Sequence, residues 1–160
     1  MEVCELKQEA FKPHNIPGTI EAEDYDLGCP RDAYHDLEDI NQGGKYRPDE
    51  GVDIDTCSAG GYALGWTVKG EWLVYTVTVS KSSSYKVSFY TATTSDNAKL
   101  HLECDDANIT GSVLIPNTTG YQNWEITNKT IELEAGKHLL KIVIDAGPLN
   151  LDKIVFEEIK

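Results

Sequence analysis

Residues 71–79 read Glu71-Trp72-Leu73-Val74-Tyr75-Thr76-Val77-Thr78-Val79 and alternate along their whole length. Leu73, Tyr75, Val77 and Val79 fall on one face, Trp72, Val74, Thr76 and Thr78 on the other, the period of a strand with one buried side. The same period returns at 84–92, with Tyr85, Val87 and Phe89 in phase, and at 98–104, 111–115, 124–133, 137–145 and 151–159. Turn formers separate these runs: Lys81-Ser82-Ser83-Ser84, Asp105-Asp106-Ala107-Asn108, Asn117-Thr118-Thr119-Gly120, Ala135-Gly136 and Gly147-Pro148. No stretch carries a helix-length 3.6-residue apolar stripe. Many short strands at this spacing predict an all-β protein, a two-sheet antiparallel β-sandwich of the jelly-roll kind. Residues 26–61, rich in Asp, Gly and Asn, break the pattern and read as a long functional loop region.

The chain has 160 residues, enough for one domain with its own core, and no apolar run of membrane-spanning length. Lys and Arg total 14 against 27 Asp and Glu, a formal charge of −13. Such a surface repels nucleic-acid phosphates and anionic lipid, so neutral ligands or cations are the expected partners and a monomer the expected state. Residues 1–16, with Pro13 near their end and no basic start or apolar core of a signal peptide, read as a linker or as the start of a segment cut from a longer chain. Cys4, Cys29, Cys57 and Cys104 lack the CxxC spacing of a zinc site and allow three disulfide pairings in an oxidising compartment. Cys104, in phase with Leu100 and Leu102, is expected as a buried free thiol. The Asn-x-Thr triplets at Asn108, Asn117 and Asn128 fit chance in a sequence rich in Asn and Thr.

Little points to catalysis. His14 falls in the linker, His101 and His138 on strands without a clear inward phase, and His35 in the acidic loop; no nucleophile elbow or phosphate-binding glycine loop is present. A glycoside-cleaving carboxylate pair needs two acids at a defined separation across a cleft. Acids abound, Asp49 and Glu50 among them, but nothing singles out one for a raised pKa. The aromatics say more. Trp72 lies on the face of its strand opposite the core residues, and Glu103 points outward from another strand with Lys99 and His101. Trp66 and Tyr121 each follow a glycine beside a turn, where a ring is free to stack on a flat, weakly polar ligand such as a sugar. Trp124, in phase with Ile126, is expected in the core. The acidic run Glu21-Ala22-Glu23-Asp24-Tyr25-Asp26 leaves three readings open: catalytic acids, metal ligands or a solvated edge.

Six ordered blocks narrow the choice: "IPGTIEAEDYD", "NQGGKYRPDEGVDI", "GGYALGWTVKGEWLVYTV", "TGYQNWE", "ELEAGKHLLKIVI" and "LNLDKIVF". Over residues 16–158 their order resembles family 6 carbohydrate-binding modules. That resemblance implies a non-catalytic jelly roll over residues 17–160, carried by a secreted or cell-surface polysaccharide-degrading enzyme. It targets a glycoside hydrolase in the same parent chain to xylan, with β-glucans next. It assigns Trp66 and Tyr121 to an aromatic clamp in a loop-end cleft, Asn150 to a sugar hydrogen bond and Asp53 to the upstream acid. The clamp has its two aromatic types reversed relative to many members. A second site on the sheet face would use Trp72 and Glu103. A structural Ca2+ would be held by Glu21, Glu23 and Asp152, with carbonyls of the "GGKYR" loop and water completing the shell; residues two apart on a strand share a face, and a hard cation takes six to eight oxygens. Asp24 and Asp26 would then be edge residues. A small glycoside-cleaving domain, and a structural sandwich packed on a neighbouring domain, are the competing readings.

Overall fold

The computed structural model describes residues 3–38 and 40–160, and these contain strands, turns and loops but no helix. The strands are β1 (Asn15–Ile16), β2 (Gly18–Glu21), β3 (Tyr34–His35), β4 (Ile54–Thr56), β5 (Tyr62–Leu64), β6 (Trp72–Val79), β7 (Ser83–Ala92), β8 (Lys99–Cys104), β9 (Ala107–Asn108), β10 (Val113–Leu114), β11 (Glu125–Leu133), β12 (Gly136–Ala146) and β13 (Asn150–Glu158). One sheet runs β1-β6-β12-β8-β10, with β3 also on β6 and β9 on β8. The other runs β11-β7-β13-β5-β4, with β2 on β13. The long strands β6, β7 and β8, and then β11, β12 and β13, alternate between the two sheets. Each connection therefore crosses an end of the sandwich, and the loops collect at those ends. This is a two-sheet antiparallel jelly roll.

Alternation decides the core. Leu73, Tyr75, Val77 and Val79 from β6 meet Tyr85, Val87 and Phe89 from β7, with Leu100, Leu102, Leu140, Ile142, Ile154 and Phe156 filling the space between the sheets. Burial of a side chain such as Phe89 or Phe156 stabilises the fold by about 2–3 kcal/mol. Val74, on the opposite face of β6, is buried too, because residues 26–33 cross it: Asp26 N–H donates to the Val74 carbonyl at 2.8 Å, and Val74 N–H to the Ala33 carbonyl at 2.9 Å.

Several expectations are corrected. The described part of the leading segment is anchored at Cys4, His14 and Ile16 and is not a free linker, although residues 3–7 are exposed; Met1 and Glu2, assigned to the same segment, lie outside the described residues. Ile16 is fully buried and pairs with Val79, His14 is buried with Nε2 bonded to the Asp24 carbonyl, and Cys4 is disulfide-bonded to Cys29. Cys104 is free, as expected, but only half-buried. Trp124 is not in the core: it is half-buried beside an exposed Ile126, and its indole N–H donates to Ser58 Oγ at 2.9 Å. Asp24 and Asp26 are buried as well. Asp26 accepts from Thr76 N–H, Thr76 Oγ1 and Gln8 Nε2, and Asp24 from the Tyr46 hydroxyl. A run of acids looks like a solvated edge only until its donors, all distant in sequence, are known.

The buried guanidinium of Arg47 ties the irregular half together. It lies 3.5 Å from the Tyr25 ring centre and 4.6 Å from that of Phe11. It donates to the carbonyls of Tyr25 and Asp26 and pairs with Glu50. A buried charge persists only when paired and hydrogen-bonded, and removing one partner strands the others. Arg47→Met is therefore expected to cost about 3 kcal/mol, read as a lower urea midpoint with an unchanged denaturant slope.

Candidate functional site

At the end of the sandwich where β13 begins, the loops enclose a cleft of about 400 Å³ lined by Trp66, Tyr121, Asn150, Asp55, Gln122 and Pro148, with Leu64 and Gly65 at its floor. Trp66 is 49% exposed and Tyr121 37% exposed, and both line this one cleft. Three of the four residues assigned to this cleft from sequence converge on it: Trp66, Tyr121 and Asn150.

Each ring is held from behind. Trp66 has φ of 48°, in the left-handed region that a bulky residue enters only when its surroundings require it. Gly65 N–H is bonded to the Asp53 carbonyl at 2.9 Å on one side. On the other side Thr67 Oγ1 donates to the Leu149 carbonyl and accepts from Leu149 N–H, both at 2.8 Å. The loop that carries Trp66 is thus bolted to the loop before β13. Gly147 permits the contact: a Cβ there would lie 2.3 Å from the Thr67 carbonyl oxygen. Gly65 makes similar room for Asn150, whose Oδ1 would be 3.0 Å from an added Cβ. Asn150 Nδ2 in turn donates to the Tyr121 carbonyl at 2.6 Å. The Tyr121 segment is stitched to the end of β4, with Ser58 N–H donating to Gln122 Oε1 and Ser58 Oγ to the Gln122 carbonyl. Trp124 buttresses that seam through Ser58, which is the role its sequence phase concealed.

Asp53 does not reach the cleft. It is buried behind it, accepting Gln42 N–H at 2.6 Å, while Asp55 lines the cleft two residues later. Asp55 went unassigned from sequence; its signal was the position next to Ile54, whose fully buried side chain turns Asp55 to the opposite face. Behind the cleft, Asp53 shares a small cavity with Asp36 and Glu71. Glu71 accepts from the Val68 and Leu37 N–H groups and so anchors the far end of the Trp66 loop. Burial raises the Asp53 pKa to about 7, outweighing the opposing Gln42 N–H, with smaller upward pushes from Asp36 and Glu38. Burial and Glu71 raise Asp36 in the same direction.

The sheet-face pair is less united. Trp72 and Glu103 lie on the same face, but β12 runs between β6 and β8, and its Lys141 ammonium sits 4.5 Å over the Trp72 ring. Trp72 shares a hollow of about 210 Å³ with Gln8, Arg31 and Lys141, to which Glu103 does not contribute. Glu103 instead accepts from His101 Nε2 at 2.7 Å, and Asp145 bonds the other ring nitrogen at 2.9 Å. Burial opposes protonation of His101, yet the two carboxylates hold its pKa above the ordinary histidine value.

The third group is Glu21, Glu23 and Asp152. Pairing of β13 with β7 shifts register between Leu151 and Lys153, a bulge that turns Asp152 toward the end of β2, where its carbonyl accepts Ala22 N–H at 3.0 Å. Burial, with Glu21, Asp24 and Asp152 nearby, raises Glu23 to about 8, and Glu21 and Asp152 shift upward chiefly through burial. Glu23 Oε1 is buried without a hydrogen-bond partner. The three groups' oxygens do not all fall within 4.8 Å of one another. Carboxylates are the oxygen type a hard cation takes, and the unsatisfied Glu23 Oε1 is the one atom here that calls for a positive partner.

Comparison with known proteins supplies the context. The sequence matches the model for carbohydrate binding module (family 6) over residues 42–158. The clotting factor G alpha subunit of Tachypleus tridentatus is 27% identical over 111 residues, covering 66% of this chain but only 16% of that protein, so the chain spans about a sixth of this relative's length. Among solved structures, the C-terminal family 6 module of LamC, a marine laminarinase from Zobellia galactanivorans, superposes with a TM-score of 0.71 at 23% identity, covering 88% of this chain and 98% of that one. A module from Cellvibrio mixtus lichenase 5A in complex with cellotriose gives 0.69 at 27% identity, covering 90% and 98%.

The raised Asp53 pKa has a readable consequence. Between about pH 4 and pH 7 the unfolded chain releases the Asp53 proton while the folded protein keeps it, so this group lowers stability as pH rises through that window. Asp53→Asn keeps an acceptor for Gln42 N–H and removes the titration. Its urea midpoint is expected to fall less than that of the parent protein between about pH 4 and pH 8; an identical fall in both would refute the assignment.

Proposed function

Because the chain belongs to family 6 of the carbohydrate-binding modules, we propose that its end cleft holds a β-linked glucan chain by stacking and hydrogen bonds, with no bond broken. The observation that carries this is the convergence of two exposed rings, Trp66 and Tyr121, with the Asn150 amide in one cleft. Sugar rings offer apolar C–H faces and polar edges, so aromatic walls with a few directed polar groups suit them. Asn150 Nδ2 is committed to the Tyr121 carbonyl, which leaves its Oδ1 to accept from a sugar hydroxyl. The Tyr121 hydroxyl accepts from Thr94 Oγ1 at 3.2 Å and keeps its own proton to donate. Asp55 adds a carboxyl acceptor to the cleft lining. A module in complex with cellotriose among the similar structures supports a β-glucan ligand, and one in complex with xylose keeps xylan as the competing ligand. The module would tether a larger polysaccharide-degrading enzyme outside the cell; the Cys4–Cys29 disulfide supports an oxidising compartment.

Glu21, Glu23 and Asp152 would hold a structural Ca2+, which supplies a positive centre between β2 and β13 and lets the buried carboxylates stay ionised. What supports this is the unpartnered Oε1 of Glu23.

Two measurements test these readings. In calorimetry with laminari-, cello- and xylo-oligosaccharides, Trp66→Ala and Tyr121→Ala should each cost about 2 kcal/mol or more, about thirtyfold in Kd. Unchanged affinities in both variants would place the site elsewhere, and tighter binding to xylo-oligosaccharides would restore xylan. For calcium, chelation should lower the Tm, added Ca2+ should restore it, and Glu23→Gln should abolish the response.

A further inference from the structure

We propose that Cys104, Asp105 and His138 bind a borderline transition-metal ion of the zinc type, at the end of the sandwich away from the sugar cleft. The thiol, carboxylate and imidazole ligand atoms all lie within 4.8 Å of one another, the only such trio of His, Cys, Asp or Glu among the described residues. Its donors differ in kind from the oxygen-only set at Glu21, Glu23 and Asp152. Sulfur and imidazole select zinc-like ions, whereas calcium takes oxygen.

The local structure builds the trio from two strand ends. Cys104 closes β8 and is paired with Leu140 of β12, while His138 lies two residues earlier on β12. Asp105 follows in a left-handed conformation, with φ of 48°. It is pinned on both sides, its N–H donating to the Leu139 carbonyl at 2.8 Å and its Oδ1 accepting Leu139 N–H at 2.9 Å. The free oxygen, Oδ2, then faces the other two donors, at 2.6 Å from His138 Nδ1 and 3.9 Å from Cys104 Sγ.

The decisive detail is the second nitrogen of His138. Nε2 is 2.8 Å from the Glu134 carbonyl oxygen, which can only accept, so Nε2 carries a hydrogen. In the neutral ring Nδ1 therefore presents a lone pair to an ionised carboxylate at 2.6 Å, and that arrangement requires a positive charge between them. A proton can supply it, giving an imidazolium–carboxylate pair; a metal ion can supply it equally well. Metal-bound histidines are commonly oriented by such an outer hydrogen bond to a carbonyl. Around a tetrahedral zinc, bonds of about 2.0–2.3 Å set ligand atoms about 3.3–3.6 Å apart. The two separations from Asp105 Oδ2, 2.6 Å to His138 Nδ1 and 3.9 Å to Cys104 Sγ, lie within about 1 Å of that range. Asp105 is half exposed and borders an open hollow with Thr76 and Lys137, leaving a fourth position for water. The overall charge of −13 favours cations at any such site.

The test uses the whole chain, unreduced so that Cys4–Cys29 stays closed, with Ca2+ in excess. Titration with Co2+ should produce a thiolate-to-cobalt charge-transfer band saturating at one ion per chain, and Zn2+ should bleach it. Cys104→Ser should abolish the band, His138→Gln should weaken Co2+ binding at least tenfold, and Cys57→Ser should leave it intact. Metal-free melting curves and retained oligosaccharide binding at the far end verify that the variants fold. Absence of the band in the parent protein, its survival in Cys104→Ser, or its loss in Cys57→Ser would each overturn the proposal.

Discussion

The irregular half of this sandwich depends on one buried cation. Arg47 comes from a loop without regular structure, yet its guanidinium is enclosed by Phe11 and Tyr25 and caps the carbonyls that follow β2. Charge so deep is tolerable only because it is answered by the Phe11 and Tyr25 rings and by the carbonyls and Glu50 that accept its N–H groups. That requirement draws the leading segment, the acidic turn after β2 and the loop before β4 into one body. Glu23 is thereby turned inward, and the chain enters β4 in the position from which Asp55 reaches the cleft.

The cleft follows from the same economy of backbone hydrogen bonds. Loops at the sandwich end have no ladder to satisfy them, so side chains take over: Thr67 for Leu149, Ser58 for Gln122, Glu71 for Val68 and Leu37. With its loop bolted on both flanks, Trp66 keeps a backbone conformation that a free chain would leave at once. Rings held this way lose little freedom on meeting a ligand, which is the condition for a shallow site to bind a neutral, heavily hydrated one.

The two ends of the jelly roll are chemically distinct. The end where β13 begins carries exposed rings and amides; the end where β8 stops and β12 starts carries a thiol, a carboxylate and an imidazole within 4.8 Å. Between them the sheets are joined mainly by apolar packing, with the Tyr75 hydroxyl donating across to the Ala22 carbonyl. The net negative charge is not confined to the surface: Asp24, Asp26, Glu23, Asp53 and Asp152 are all buried, Asp24, Asp26 and Asp53 accepting hydrogen bonds while Glu23 keeps one oxygen unpartnered.

Alternation along Leu73–Val79 and its successors determined the all-β sandwich by itself, because a period of two leaves the buried face no choice once water is excluded. The glycines beside Trp66 and Tyr121 and the phase of Trp72 were legible too, as local conformational statements. Asp53 and Asp55, the inward turn of Asp24 and Asp26, the position of Trp124 and the anchoring of the leading segment at Cys4, His14 and Ile16 were not. Each of these is settled by a partner far along the chain: Gln42 for Asp53, Thr76 for Asp26, Ser58 for Trp124, Cys29 for Cys4. Periodicity reports which way a side chain points within its own strand. Only the tertiary structure decides what stands opposite it, because hydrogen bonds and desolvation depend on distance in space and not on separation in sequence.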